Sequence, residues 1–185
     1  KVFKMGLLVE KAIENATTAL FQRDSDKAQN VMKGDQEINL HEIEIDELGH
    51  ELIALHQPAA IDLRLITMVL KMTNDLERMG DQAVNIAEKA IALNKEAPLK
   101  SFLNIPKMAE LAIAMVKESL DAFIERDAQK AKAICERDDE LDNLNDQTYN
   151  SLQEAMKKQE IEISQAVSLI MVAHNLERVG DLGTN

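Results

Sequence analysis

Two segments of the chain hold residues suited to binding a hard cation. Residues 74–85 read NDLERMGDQAVN and residues 174–185 read HNLERVGDLGTN, identical at six of twelve positions where about one match is expected by chance. At 100° per residue, Asn74, Glu77, Asp81, Asn85 and Glu88 fall on one line of a helix, and His174, Glu177, Asp181 and Asn185 repeat that line. An isolated Glu-x-x-x-Asp is usually a solvated face. Here like charges four residues apart repel by a few tenths of a kcal/mol, no Lys on the stripe relieves them, and the pattern occurs twice.

Hairpin arithmetic supplies opposing ligands. A turn at Pro58 makes the flanking helices antiparallel, so residues whose numbers sum to 116 lie level: Asp35 with Asp81, and Asn39 with Glu77. In the second half Asp138 pairs with Asp181 and Asp142 with Glu177, both summing to 319, with the turn expected at 159–160 in KKQEI. Each hairpin then sets Asp-x-x-x-Asn/Asp against Glu-x-x-x-Asp, about 34 Å from its turn at a rise of 1.5 Å per residue. Oxygen-only donors suit Mg²⁺, Mn²⁺, Ca²⁺ or iron, and do not make a structural zinc site of the Cys/His kind. The alternative is an unmetallated, solvated cluster.

Other polar residues carry less. His174 lies on the acidic stripe one turn before Glu177, as a nitrogen ligand or a supporting partner; its counterpart in the first motif is Asn74. Arg78 and Arg178 lie beside the stripe, where an intrahelical salt bridge is the simpler expectation and contact with a phosphate the sharper one. Asn85 completes the first stripe. Glu47-Leu-Gly-His50 has the E-x-x-H spacing of di-iron bundles, but such sites need the motif on two helices and it occurs once. His41 is expected in a helix seam. Cys135, next to Ile134, is expected to be a small buried hydrophobe. Gly80 and Gly180 inside helices each cost about 1 kcal/mol relative to Ala, so their recurrence suggests a close helix approach or space for an ion.

The elements that must position these residues are long helices. Breaks are few: Pro58, Pro98 and Pro106 are the only prolines and there are six glycines. Ile38, Ile45, Leu48, Leu52 and Leu55 recur at helical spacing, as do Ile134, Leu141, Leu144 and Leu152. Asp24 and Ser25 suit a helix cap and Pro58 the first turn of the next helix. Six helices are expected, over 2–22, 25–56, 58–94, 107–125, 128–158 and 161–185. Arg23-Asp24-Ser25-Asp26-Lys27-Ala28 and Arg126-Asp127-Ala128-Gln129-Lys130-Ala131 match at four of six positions, so the repeat extends upstream of the acidic motif. The expected fold is all-α, with two pseudo-repeated three-helix bundles side by side: 1–94, a linker at 95–106, and 107–185, shortened at its C-terminal end.

Composition bounds the function. The 185 residues are 45% hydrophobic and 29% charged, which supports a folded domain rather than a disordered chain. No apolar run approaches the roughly 18 residues a membrane span needs, so a soluble chain is expected. A single Cys excludes an internal disulfide and fits a reducing cytoplasm. The net charge of −12 argues against nucleic acid or acidic lipid as the main partner. No nucleophile–base pair or glycine-rich phosphate loop is visible, so catalysis is not expected. A carboxylate-bridged polynuclear metalloenzyme and a metal-free helical scaffold are the competing readings.

LERMGDQAVNIAEKA, preceded by QPAAIDLR, resembles the PhoU family of phosphate-homeostasis regulators, and the likeness covers nearly the whole chain. It implies two pseudo-repeated three-helix bundles in a cytoplasmic, often dimeric protein that carries metal ions on E/D-x-x-x-D motifs. By that resemblance Glu77 and Asp81, with Asp35 and Asn39 opposite, form one metal site. Glu177 and Asp181, with Asp138 and Asp142 opposite, form the other. Asn39 departs from the charged form of the motif and leaves the first site one carboxylate short. The implied cofactors are divalent or trivalent ions: iron, manganese, magnesium or zinc. The implied partners are the ATPase of the phosphate ABC transporter and a membrane sensor histidine kinase, with membrane contact only through them. Their joint effect is repression of the phosphate-starvation response.

Overall fold

The repeated Arg-Asp dipeptide is a helix-to-helix joint. In the computed structural model, which describes residues 1–185, α1 (Val2–Gln22) ends on Arg23 in the left-handed region at φ 57°. Asp24 N–H then donates to Ala19 O at 2.9 Å, and the Asp24 side chain accepts from Lys27 N–H to open α2 (Ser25–His56). This is a helix stop and a helix start in two residues. The second copy repeats it: α4 (Ile105–Glu125) closes on Arg126 at φ 54°, and Asp127 accepts from Gln129 and Lys130 N–H to open α5 (Ala128–Lys157). Arg23 also donates to the carbonyls of Asn94 and Glu96, at 2.8 and 2.6 Å, which ties off α3 (Ala60–Asn94).

The remaining helix, α6, spans Ile163–Thr184. Helix boundaries differ from the sequence expectation by more than one residue in three places. Pro58 precedes α3 instead of entering its first turn, because Gln57 takes the left-handed conformation (φ 45°) and Ala59 becomes the N-cap. Pro106 lies inside the first turn of α4, which therefore begins two residues early. The second turn occupies 158–162, with Gln159 at φ 57°, so α6 starts later than expected.

Each half packs three helices together: α1, α2 and α3 in the first, and α4, α5 and α6 in the second. The halves meet through α3 against α6 and α1 against α4, and one core of 36 buried residues runs through both. Helices α3 and α6 are antiparallel. Ser164 and Gln165 at the start of α6 bond Glu96 and Ala97 just beyond α3, while Lys71 Nζ donates to Asn185 O at the other end. The two LERxGD motifs therefore cross near their own midpoints, as an internal twofold relation requires.

The seams expected from periodicity are partly exposed. Ile134, Leu141, Leu144 and Leu152 are buried as expected, and so are Ile38 and Ile45. Leu48, Leu52 and Leu55, however, stand 37–68% exposed, and Leu63 is 39% exposed. These residues lie nearer the Pro58 turn than Glu44, the level at which Lys1 ion-pairs with α2. No helix is long and apolar enough to cross a membrane.

Candidate metal centres

Each acidic motif is held on a face whose other side is anchored in the core. In α3, Leu76, Met79, Gly80 and Ala83 are buried, which turns Glu77 and Asp81 toward α2. In α6, Leu176, Val179, Gly180 and Leu182 do the same for Glu177 and Asp181. The glycines set the separation. A Cβ at Gly80 would meet Ile38 Cδ1 at 3.2 Å and Asp35 Oδ1 at 3.3 Å. At Gly180 it would meet Leu141 Cδ2 at 2.5 Å and Asp138 Oδ1 at 2.9 Å. Both motifs thus let the opposite helix come close enough to bring its aspartate against the glycine.

In the second half Asp138, Asp142 and Asp181 converge, with one carboxylate oxygen of each lying within 4.8 Å of the others. Glu177, expected as the fourth ligand, is not among them. Its Oε2 lies 3.1 Å from Nδ1 of the exposed His174, an approach not aligned as a hydrogen bond. His174 thus stands beside Glu177 and not among the three aspartates. Burial pushes Asp138 up to about 6, and the neighbouring Asp142 and Asp181 charges push the same way. Asp142 and Glu177 are also raised, by burial first and the Asp181 charge second. These groups repel one another without a cation between them.

The first half is looser. Asp35 Oδ2 accepts from Asn39 Nδ2 at 3.0 Å, so an intrahelical amide occupies what is an inter-carboxylate gap in the second half. Asp35 is raised by burial and by Asp81, with Asn39 acting against them. Glu77 is raised by burial, then by Asp81, Glu42 and Asp35. Glu42 escaped the sequence reading, although it lies three residues beyond Asn39 and so on the face opposite Glu77. Asn74 and Asn85 are exposed on the stripe, away from the converging groups.

The donor atoms fit a hard cation. Asp35 Oδ1, Asn39 Oδ1, Asp138 Oδ1 and Glu177 Oε2 are buried acceptors without a hydrogen-bond donor, distributed over both motifs. Buried acceptors are normally satisfied, and a hard cation is a group that would satisfy oxygens of this kind. All are oxygens, which suits iron, manganese or magnesium as ligands and gives zinc no Cys.

The other expectations divide. Arg78 and Arg178 ion-pair within their own helices, with Asp75 at 3.7 Å and Asp181 at 3.6 Å. His41 is largely buried between Glu37 and Glu44, as the seam position suggested. His50 contacts Asp46 and stays exposed. Cys135 is exposed, contrary to expectation, because Ile134 takes the buried position and the next residue turns 100° away from it.

Fold and site together define a repeat protein of the all-α class: two three-helix bundles, each carrying an acidic pair on its third helix. The family model described as "PhoU domain" matches residues 2–90 and again 105–185. The chain belongs to the PhoU family. It is 43% identical over 178 residues to the "Phosphate-specific transport system accessory protein PhoU homolog" of Aquifex aeolicus, covering 96% of this chain and 80% of that one. The homologue of the same name in Clostridium acetobutylicum is 37% identical, over 100% of this chain and 85% of that one. Among solved structures, PhoU from Pseudomonas aeruginosa superposes with a TM-score of 0.96 at 36% identity, covering 100% of this chain and 88% of that one. The phosphate transport system regulatory protein PhoU from Streptococcus pneumoniae gives 0.91 at 27% identity, with 100% and 86% covered. The Aquifex and Clostridium relatives are named as accessory proteins and the Streptococcus one as a regulatory protein, none as an enzyme.

Proposed function

We propose that this chain is a metal-binding regulatory adaptor of phosphate uptake. In this reading it works in the cytoplasm as a homodimer. It couples the ATPase of the phosphate ABC transporter to a membrane sensor histidine kinase and holds the phosphate-starvation response down. The transport role is supported by the relatives' names, each an accessory or regulatory protein of a phosphate transport system.

The observation that carries the metal part is the convergence of Asp138, Asp142 and Asp181 from two helices, with Asp138 Oδ1 buried and unpaired. A cation held there neutralises the repulsion that raises these carboxylates and cross-links α5 to α6. Asp35, Glu77 and Asp81, with the Asn39 carbonyl, form the weaker counterpart on α2 and α3. A hairpin fixed by a cation offers a partner a rigid helical face.

The test is metal content by mass spectrometry on protein purified without chelator, beside an Asp138→Asn/Asp181→Asn variant, with binding to the purified transporter ATPase measured in both. Ions present in the wild type, reduced in the variant, with weaker ATPase binding support the reading. Equal metal content in both removes the site assignment. Metal loss without change in ATPase binding removes the link between ion and partner.

A further inference from the structure

The two repeats differ in where α2 and α5 carry acid and amide. Matching ion pairs fix their register: Lys4 reaches Glu37 at 3.3 Å in the first half, and Lys107 reaches Glu140 at 2.7 Å in the second, each partner 103 residues further on. On that register Asp35 corresponds to Asp138, Asn39 to Asp142 and Glu42 to Asn145. The first half reads Asp-x-x-x-Asn-x-x-Glu where the second reads Asp-x-x-x-Asp-x-x-Asn. Acid and amide have changed places, about one helical turn apart.

Residues three apart share a helix face, so Glu42 lies on the α3 side of α2. At 1.5 Å per residue it stands about 4.5 Å nearer the Pro58 turn than Asn39. It is half-buried there, as Asn39 and Glu77 are. On the α1 side of the same helix, Glu37 and Glu44 pair with Lys4 and Lys1. Glu42 has no such basic partner. Instead it faces Glu77, whose carboxyl is pushed up by burial and Asp81 first, and then by Glu42 ahead of Asp35. Asn39 Oδ1 lies on this face, buried and without a donor. Because Asp35 holds the Asn39 Nδ2, the carbonyl oxygen is the free end of that amide. Two carboxylates and one amide oxygen, drawn from two helices, make a donor set suited to a hard cation.

Building on the metal-binding reading proposed above, on which this step rests, we infer that Glu42 is a ligand of the first-half ion together with Glu77 and the Asn39 carbonyl. That set is displaced about one turn along the hairpin, toward Pro58, from the position equivalent to Asp138, Asp142 and Asp181. The two halves then hold their ions at different levels and with different donors.

The test is manganese(II) titration of the chelator-treated chain, with free manganese read from its EPR signal. Two classes of site are expected in the wild type and one in Asp138→Asn/Asp181→Asn. Adding Glu42→Gln to that double variant should weaken the remaining site about tenfold, the scale of one charge-assisted contact. The exchange Asn39→Asp/Glu42→Asn, which copies the second half, should restore it, whereas a merely structural loss at Glu42 would not be repaired in this way. Unchanged affinity with Glu42→Gln, or no recovery in the exchange variant, overturns the assignment of Glu42 and leaves the Asp138 site standing. So does a single class of site that vanishes in Asp138→Asn/Asp181→Asn. A wild type that binds no manganese removes the metal-binding reading itself, and the role of Glu42 with it.

Discussion

Gly180 lies so close to Asp138 that a methyl group on it would stand 2.9 Å from the carboxylate oxygen Oδ1. The same methyl would meet Leu141 Cδ2 at 2.5 Å and Met115 Cε at 3.4 Å. Leu141 and Met115 are fully buried, so a shift of Leu141 must displace core neighbours. Gly180→Ala therefore sets a helix-propensity gain of about 1 kcal/mol against overpacking of about 1–3 kcal/mol. The expected net is a loss of about 1 kcal/mol in urea unfolding, together with weaker metal uptake at the Asp138 site. Gly34→Ala is the control: nothing lies within 4 Å of its Cβ, so it should stabilise by up to about 1 kcal/mol.

The two Arg-Asp joints make a matched pair of cap substitutions. Asp24 accepts one backbone N–H and Asp127 accepts two, at the opening of α2 and α5. Asp24→Ala and Asp127→Ala should each cost about 1 kcal/mol, measured by chemical denaturation. Neither residue is near an acidic cluster, so metal content should stay at the wild-type level. A fall in metal content would mean that the joint positions the hairpin as well as capping it.

Register arithmetic on the sequence located the hairpins because a short turn and a constant rise leave little freedom: Asp35 does meet the Gly80–Asp81 turn of α3, and Asp138 meets Asp142 and Asp181. What the arithmetic could not supply was direction within a level. Glu77 and Glu177 are level with Asn39 and Asp142, but a longer side chain can rotate away, and Glu177 lies beside His174 instead of the three aspartates. Periodicity likewise marks an apolar stripe without saying what covers it. Leu55 and Ile61 carry the rhythm of a seam and stand 68% and 82% exposed, because burial depends on a neighbouring helix that the local pattern does not encode. The same holds for Cys135, where a one-residue step from Ile134 separates core from surface.

Raised carboxylates give the metal-free protein an unusual pH dependence. Asp138 titrates near 6 when folded against an ordinary value of 3.8. Between those values the folded state holds more protons than the unfolded state, so stability falls as pH rises through that window. Asp35, Glu77, Asp142 and Glu177 are shifted in the same direction and add to the slope. In chelator, the urea midpoint should be higher at pH 5 than at pH 7.5, and Asp138→Asn should flatten the difference. With manganese or iron present the order should reverse, because protons and cations compete for the same oxygens.

Asn39 is the position where the two acidic sites diverge, and its reversal tests whether that divergence matters. Its Nδ2 donates to Asp35 Oδ2 at 3.0 Å and relieves Asp35, whereas at the equivalent place Asp142 raises Asp138. Asn39→Asp removes the donor and adds a charge, so the metal-free protein should lose stability at pH 7.5 and recover it at pH 5. The same change supplies a fourth carboxylate beside Asp35, Glu77 and Asp81 in the first half. Metal affinity there should rise about tenfold, the scale of one added charge-assisted contact. Competition titration against a chelator of known strength would read both sites at once. A rise in the first with no change in the second would show that they load independently, and no rise would mean that Asn39 already serves as a ligand through its carbonyl oxygen.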